Sequence, residues 1–274
     1  MRSVPDDTPP ALPMSARWES AVVASSIAAV SGGAALVGRW PLVAMVLLIQ
    51  LGLTLAWLAL PDVPAASGGL VIIVGSAVAV DFYASRGGPP DQSRVAAVVA
   101  AAFVLAVLRQ LARRRRSAVT ESLAVVVTGV LMVVFAGHLI ASRVIAGGIA
   151  AAAAICFAIA AATAIRRGVD ALYARPALRT GSGRGWPAFV LSIAAGAATG
   201  AYVGAARTGL ETRTGALIGL AAALAAAIVD LGIGIGSLHL ADGRQRSAIV
   251  PLVVLLPLVV AAPVGYGVAR LLAE

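Results

Sequence analysis

The sequence predicts an all-α fold, a polytopic helical membrane protein with about nine transmembrane helices. Two observations predict it. Sixty per cent of the 274 residues are apolar and only 12% are charged, with a mean hydropathy of +0.96; a soluble domain carries about 25% charged and about 45–50% apolar residues. The apolar residues also gather into continuous runs, close to the roughly 20 residues that a helix needs to cross a bilayer. A water-facing surface cannot be assembled from this composition, and a disordered chain would be far more polar. The ten-residue alternation of outer-membrane strands is not present.

Residues 1–17 (MRSVPDDTPPALPMSAR) hold Pro5, Pro9, Pro10 and Pro13 and read as a short, disordered cytoplasmic tail. They lack the basic start, apolar run and cleavage site of a signal peptide. Residues 18–274 read as a single transmembrane helical domain. Its candidate spans are 20–38, 41–60, 68–84, 95–111, 118–141, 144–165, 187–206, 214–238 and 248–272. The second, fifth, sixth, eighth and ninth are the most lipophilic. The first and seventh are diluted by Ala, Gly and Ser, and the third is short and ends at Asp81. Each span must be helical, because lipid offers no partner to a free backbone amide or carbonyl.

All 21 basic residues are Arg. With the N-terminus inside, one side holds Arg2, Arg17, Arg109, the quartet Arg113, Arg114, Arg115 and Arg116, then Arg166, Arg167, Arg175, Arg179, Arg184, Arg244 and Arg246. The other side holds half as many: Arg39, Arg86, Arg94, Arg143, Arg207, Arg213 and Arg270. Cytoplasmic loops carry the basic excess, so the expected location is a bacterial cytoplasmic (inner) membrane, with the N-terminus cytoplasmic and the C-terminus outside. Arg without Lys, on an Ala, Val and Gly background, points to a GC-rich bacterial genome. The net charge of +9 is then a topology signal, and no nucleic acid partner is expected. The expected partners are membrane lipids, with anionic headgroups drawn to the Arg113–Arg116 quartet.

The lack of Lys removes Schiff-base and P-loop chemistry. Cys156 is the single cysteine, so no internal disulfide or cysteine metal cluster can form. His138, His239 and the scattered acids show no HxxxH or HExxH spacing; no metal or other cofactor is expected. The GSGRG stretch at 181–185, in the longest loop (166–186), reads either as an anion-binding nest of amides or as a flexible linker. Gly196, Gly200 and Gly204 on the seventh span, and Gly215 and Gly219 on the eighth, repeat at the four-residue spacing of close helix packing.

Ionisable residues inside lipid are costly and are the default site candidates. Asp230 leads them, in AAALAAAIVDLGIGIGS, with no basic residue on its own helix within two turns. It is the candidate catalytic residue, expected to face a wet cavity or a partner helix, with Gly232, Gly234 and Gly236 loosening the helix behind it. Glu121 reads as a helix-start acid near Arg116, with Ser117 or Thr120 capping. His138 reads as a neutral, hydrogen-bonded residue near the outer end of its span. Asp81 sits at the outer end of the third span beside Phe82 and Tyr83, which read as an interfacial belt. His239 and Asp242 fall in the loop after the eighth span.

The run TGALIGLAAALAAAIVDLGIGIGS at 214–237 and the tail LVVAAPVGYGVARLL at 258–272 resemble bacterial CDP-diacylglycerol synthases (phosphatidate cytidylyltransferases). Asp230, Leu231 and Ser237 stand where that family carries its Asp-Leu pair and a following Ser. The resemblance covers 118–274. The family pattern continues with Lys-Arg, Lys-Asp, a Pro-Gly-His-Gly-Gly stretch and a closing Asp-Arg-x-x-Asp. Here Leu238–Arg246 reads LHLADGRQR and turns apolar again. The resemblance thus implies a diverged relative without the metal-holding carboxylates and without synthase activity. Three functional classes follow: a non-catalytic envelope or lipid-associated membrane protein, a lipid enzyme of cytidylyltransferase type, and a small proton-coupled transporter.

Overall fold

The computed structural model describes residues 14–59, 66–86, 92–112, 118–172, 185–236 and 243–273. They form nine helices and no strand: α1 (Met14–Val37), α2 (Arg39–Ala59), α3 (Ala66–Ser85), α4 (Gln92–Leu111), α5 (Val119–Ala141), α6 (Gly148–Leu172), α7 (Trp186–Ala206), α8 (Thr212–Gly236) and α9 (Gly243–Ala273). Each contains a span long and apolar enough to cross a membrane, as in a multi-pass membrane protein. Large apolar side chains such as Val37, Leu48, Val71, Leu105 and Leu271 point outward. A soluble protein could not leave so much apolar surface uncovered.

Three helix limits differ from the hydropathy windows. α1 starts at Met14, within the expected tail; α6 runs on to Leu172; α9 starts at Gly243. The physical reason is shared. A hydropathy window closes where polar residues begin, but a helix continues as long as its backbone bonds are made and its polar side chains find partners.

α6 is the hub. Seventy-two per cent of its span is buried, against 17% for α4, which lies at the periphery. Ala150–Cys156 are all buried. Lipid tails are as apolar as Leu, so apolarity alone does not press helices together. Small side chains do so by letting backbones approach, and the Ala run of α6 takes α1, α7, α8 and α9 against it. On the other flank α5 carries two notches: Ile73 of α3 fills the space beside Gly129, and Val80 that beside Gly137.

The glycines of α7 and α8 interleave. A Cβ on Gly196 would meet Ala223 and the Gly219 carbonyl, one on Gly200 the Gly215 carbonyl, and one on Gly204 the Glu211 carbonyl. In return, Gly215 faces Gly200 and Gly204, and Gly219 faces Gly196 and Gly200. The two helices touch backbone to backbone over about two turns. At one end of this pair, Gly147 (φ +66°) turns α5 into α6 and Gly209 (φ +89°) turns α7 into α8. Both need the left-handed region that glycine enters freely, and a Cβ on Gly147 would collide with the Gly209 carbonyl.

Gly200→Ala is expected to destabilise the protein by about 1–3 kcal/mol, the usual range for overpacking a close contact. Gly75→Ala, where a Cβ meets open space, should be neutral or stabilising by up to about 1 kcal/mol through helix propensity. Unfolding midpoints in one detergent measure both. Equal shifts for the two variants would count against the interleaved interface.

Candidate functional site

α8 places Asp230 near the end of its apolar span, where it is completely buried. Its partners come from α6. Because that helix continues past residue 165, Arg166, Arg167 and Asp170 lie on its last turns and not in a loop, which corrects the sequence expectation. Arg166 and Arg167 are only 4% and 5% exposed. Arg166 Nη2 forms an ion pair with Asp230 Oδ2, and its Nη1 donates to the Ala227 carbonyl at 2.9 Å. Arg167 Nη2 reaches Asp230 Oδ1 at 3.0 Å.

Arg167 also meets a need created by proline. Pro257 lies inside α9 and has no N–H, so the carbonyl four residues earlier, that of Val253, lacks its helical donor. Arg167 Nη2 supplies one at 2.8 Å. Its Nη1 donates to the Ser20 carbonyl near the start of α1, at 2.7 Å. One guanidinium fork thus joins α1, α8 and α9 to α6. The flat, five-donor geometry of Arg suits this task; the single ammonium of Lys would not.

Asp170 completes the cluster. It is buried, and its Oδ1 accepts the Gly185 N–H at 2.7 Å. Gly185 is the N-cap of α7, with Pro187 in the first turn. A carboxylate borrowed from α6 therefore satisfies a free amide at the positive end of α7. The last amide of the GSGRG stretch is engaged in this way; 181–184 lie outside the described residues. Two guanidinium groups and two carboxylates share this end of the bundle and balance in formal charge.

Asp81 belongs to a second buried cluster. It is 2% exposed, while its neighbours Phe82 and Tyr83 face outward. The mid-helix Gln50 of α2 donates through Nε2 to Asp81 Oδ1 and to the Val133 carbonyl of α5, both at 3.0 Å. Asp81 Oδ2 and Gln50 Oε1 accept no hydrogen bond among the described residues. Helical geometry explains the difference from its neighbours: Asp81 points opposite to Phe82 and Tyr83, toward α2 and α5.

The remaining candidates do not converge on either cluster. Glu121 is exposed in the first turn of α5. That helix is capped by Ala118 in the left-handed region without any side-chain bond, so Thr120 is not its cap. His138 is half-buried, with Nδ1 3.0 Å from the Val134 carbonyl and its ring 5.3 Å from that of Tyr266. Cys156 is buried and free. α8 stays helical through Gly232, Gly234 and Gly236. Ser117, Arg113–Arg116, His239 and Asp242 lie outside the described residues. Among the described residues no three His, Cys, Asp or Glu side chains group as metal ligands.

Sequence reading missed Arg166, Arg167, Asp170 and Gln50. One signal was available. Prolines inside the last span leave orphan carbonyls that must find donors in lipid, and an Arg pair closes a long apolar run three helices earlier in the chain.

Asp230→Leu leaves two buried guanidinium groups without their carboxylate, and is expected to destabilise by about 3–5 kcal/mol. Asp230→Asn keeps an acceptor and should cost less. A double-mutant cycle with Arg167→Gln should show coupling of about 0.5–3 kcal/mol. An Asp230→Leu protein that unfolds at the wild-type midpoint would show that the cluster does not hold the helices. No family model, no curated protein and no solved structure matches this chain.

Proposed function

We propose that this chain is a non-catalytic, lipid-associated protein of a bacterial cytoplasmic membrane, whose buried charges serve helix assembly. The carrying observation is the state of Asp230: completely buried and held by two guanidinium groups. An acid used for metal-assisted nucleotidyl transfer must reach a metal ion and the phosphate chain. Asp230 instead pairs with two arginines that also donate to the carbonyls of Ala227, Ser20 and Val253. This favours the diverged, non-synthase form of the cytidylyltransferase resemblance.

The Arg distribution supports an inside N-terminus and an outside C-terminus. On that reading the Arg166–Asp230 cluster lies at the cytoplasmic end of the bundle, beside the anionic headgroups that Arg113–Arg116 would attract. A proton-coupled transporter is the second reading, favoured by Asp81, a buried intramembrane carboxyl whose hydrogen-bonded partner is the uncharged Gln50.

Reconstituted protein given phosphatidic acid, CTP and Mg²⁺ is expected to make no CDP-diacylglycerol. Robust turnover abolished by Asp230→Asn would overturn the non-catalytic reading. The same vesicles under a pH gradient separate the two readings, since an Asp81-dependent proton flux would decide for transport. For topology, a cysteine at Ser182 in a Cys156→Ser background should react with an impermeant reagent only after the membrane is permeabilised. Labelling of intact cells would reverse the orientation.

A further inference from the structure

At the end of the bundle opposite the Arg166–Asp230 cluster, a cavity of about 490 Å³ opens between α1, α6 and α7. Leu36, Phe157, Thr199 and Val203 line it, with Tyr202 and Arg207 also on its wall. Phe157 packs against Gly32 of α1, so the ring forms a wall without closing the gap. Thr199 turns its hydroxyl away from the cavity's needs by donating to the Ala195 carbonyl at 2.8 Å. What remains for an occupant is largely apolar surface below and a cation above.

That cation is Arg207, at the C-cap of α7 and exposed. It forms no ion pair or hydrogen bond among the described residues, even with the nearby exposed Glu211. From Thr199 to Arg207 the chain climbs about 12 Å at 1.5 Å per residue. This approaches the half-thickness of a bilayer core about 30 Å thick. The cavity therefore has the depth of one leaflet, apolar along its length and positive where headgroups lie. Tyr202, 74% exposed, presents its ring to the same opening.

We infer that this cavity is a lateral binding site for an anionic phospholipid, one acyl chain lying between α1, α6 and α7 and the phosphate paired with Arg207. The site deepens the lipid-associated reading and rests on it. An Arg fork binds a phosphate through two parallel donors, whereas a zwitterionic lipid returns a positive group to the same place.

The test is lipid retention by delipidated protein reloaded in detergent with phosphatidylglycerol or phosphatidylcholine of identical chains, read by native mass spectrometry. Wild type should retain phosphatidylglycerol preferentially. Arg207→Gln should lower that retention about fivefold, the weight of one basic residue at an anionic surface, and leave phosphatidylcholine unchanged. Thr199→Trp, which fills the cavity, should lower retention of both. If Thr199→Trp does not fold, Arg207→Gln at its exposed position decides alone. Equal retention of the two lipids, wild-type retention by Arg207→Gln, or a dimer that excludes lipid from this face would each overturn the site. Asp230→Asn should retain lipid as wild type does, so failure here is separable from any turnover at the opposite end.

Discussion

The assembly depends on one side chain, Arg167. Four helices meet on it: α6, which carries it, and α1, α8 and α9, which present a carbonyl, a carboxylate and a second carbonyl. The constraint behind this is the cost of unsatisfied polar groups where water is absent. Pro257 creates such a group on Val253, and Asp230 is another. Each would be expensive alone. Brought together on one guanidinium fork both are satisfied, and α9 can keep Pro257 within the bundle.

Buried ion pairs give little net stability, because the desolvation of both partners opposes their attraction. Their value here is positional. Arg166 and Arg167 set the level at which α6 stands against α8, and the glycine contacts of α7 and α8 set how closely the neighbouring pair approaches. The Gln50–Asp81 pair does the same for α2, α3 and α5 with a neutral amide. Polar groups thus define the register, while Ala, Gly and Val supply the contact.

The two ends of the bundle use arginine in opposite ways. At one end the guanidinium groups turn inward and are consumed by carboxylates and carbonyls. At the other, Arg207 stands exposed above an apolar cavity. The inward set joins α1, α6, α8 and α9. The outward one is the cation of the proposed lipid site.

The sequence by itself determined the class of fold and the approximate position of every span, because the hydropathy of a segment is a sum over its own residues. It also singled out Asp230, since a carboxyl within an apolar run is costly wherever its helix stands, and the four-residue glycine repeats of α7 and α8 were visible for the same local reason. Tertiary structure alone decided who answers whom. Arg166 and Arg167 read as loop residues because the apolar window ended before them, yet both pair with Asp230 of α8, more than sixty residues away in the chain. Asp81 stood in the sequence only as the end of a short span beside Phe82 and Tyr83, and its bond to Gln50 of α2 comes from how α2, α3 and α5 pack. Pairing depends on which helix faces meet, and no property of one segment contains that information.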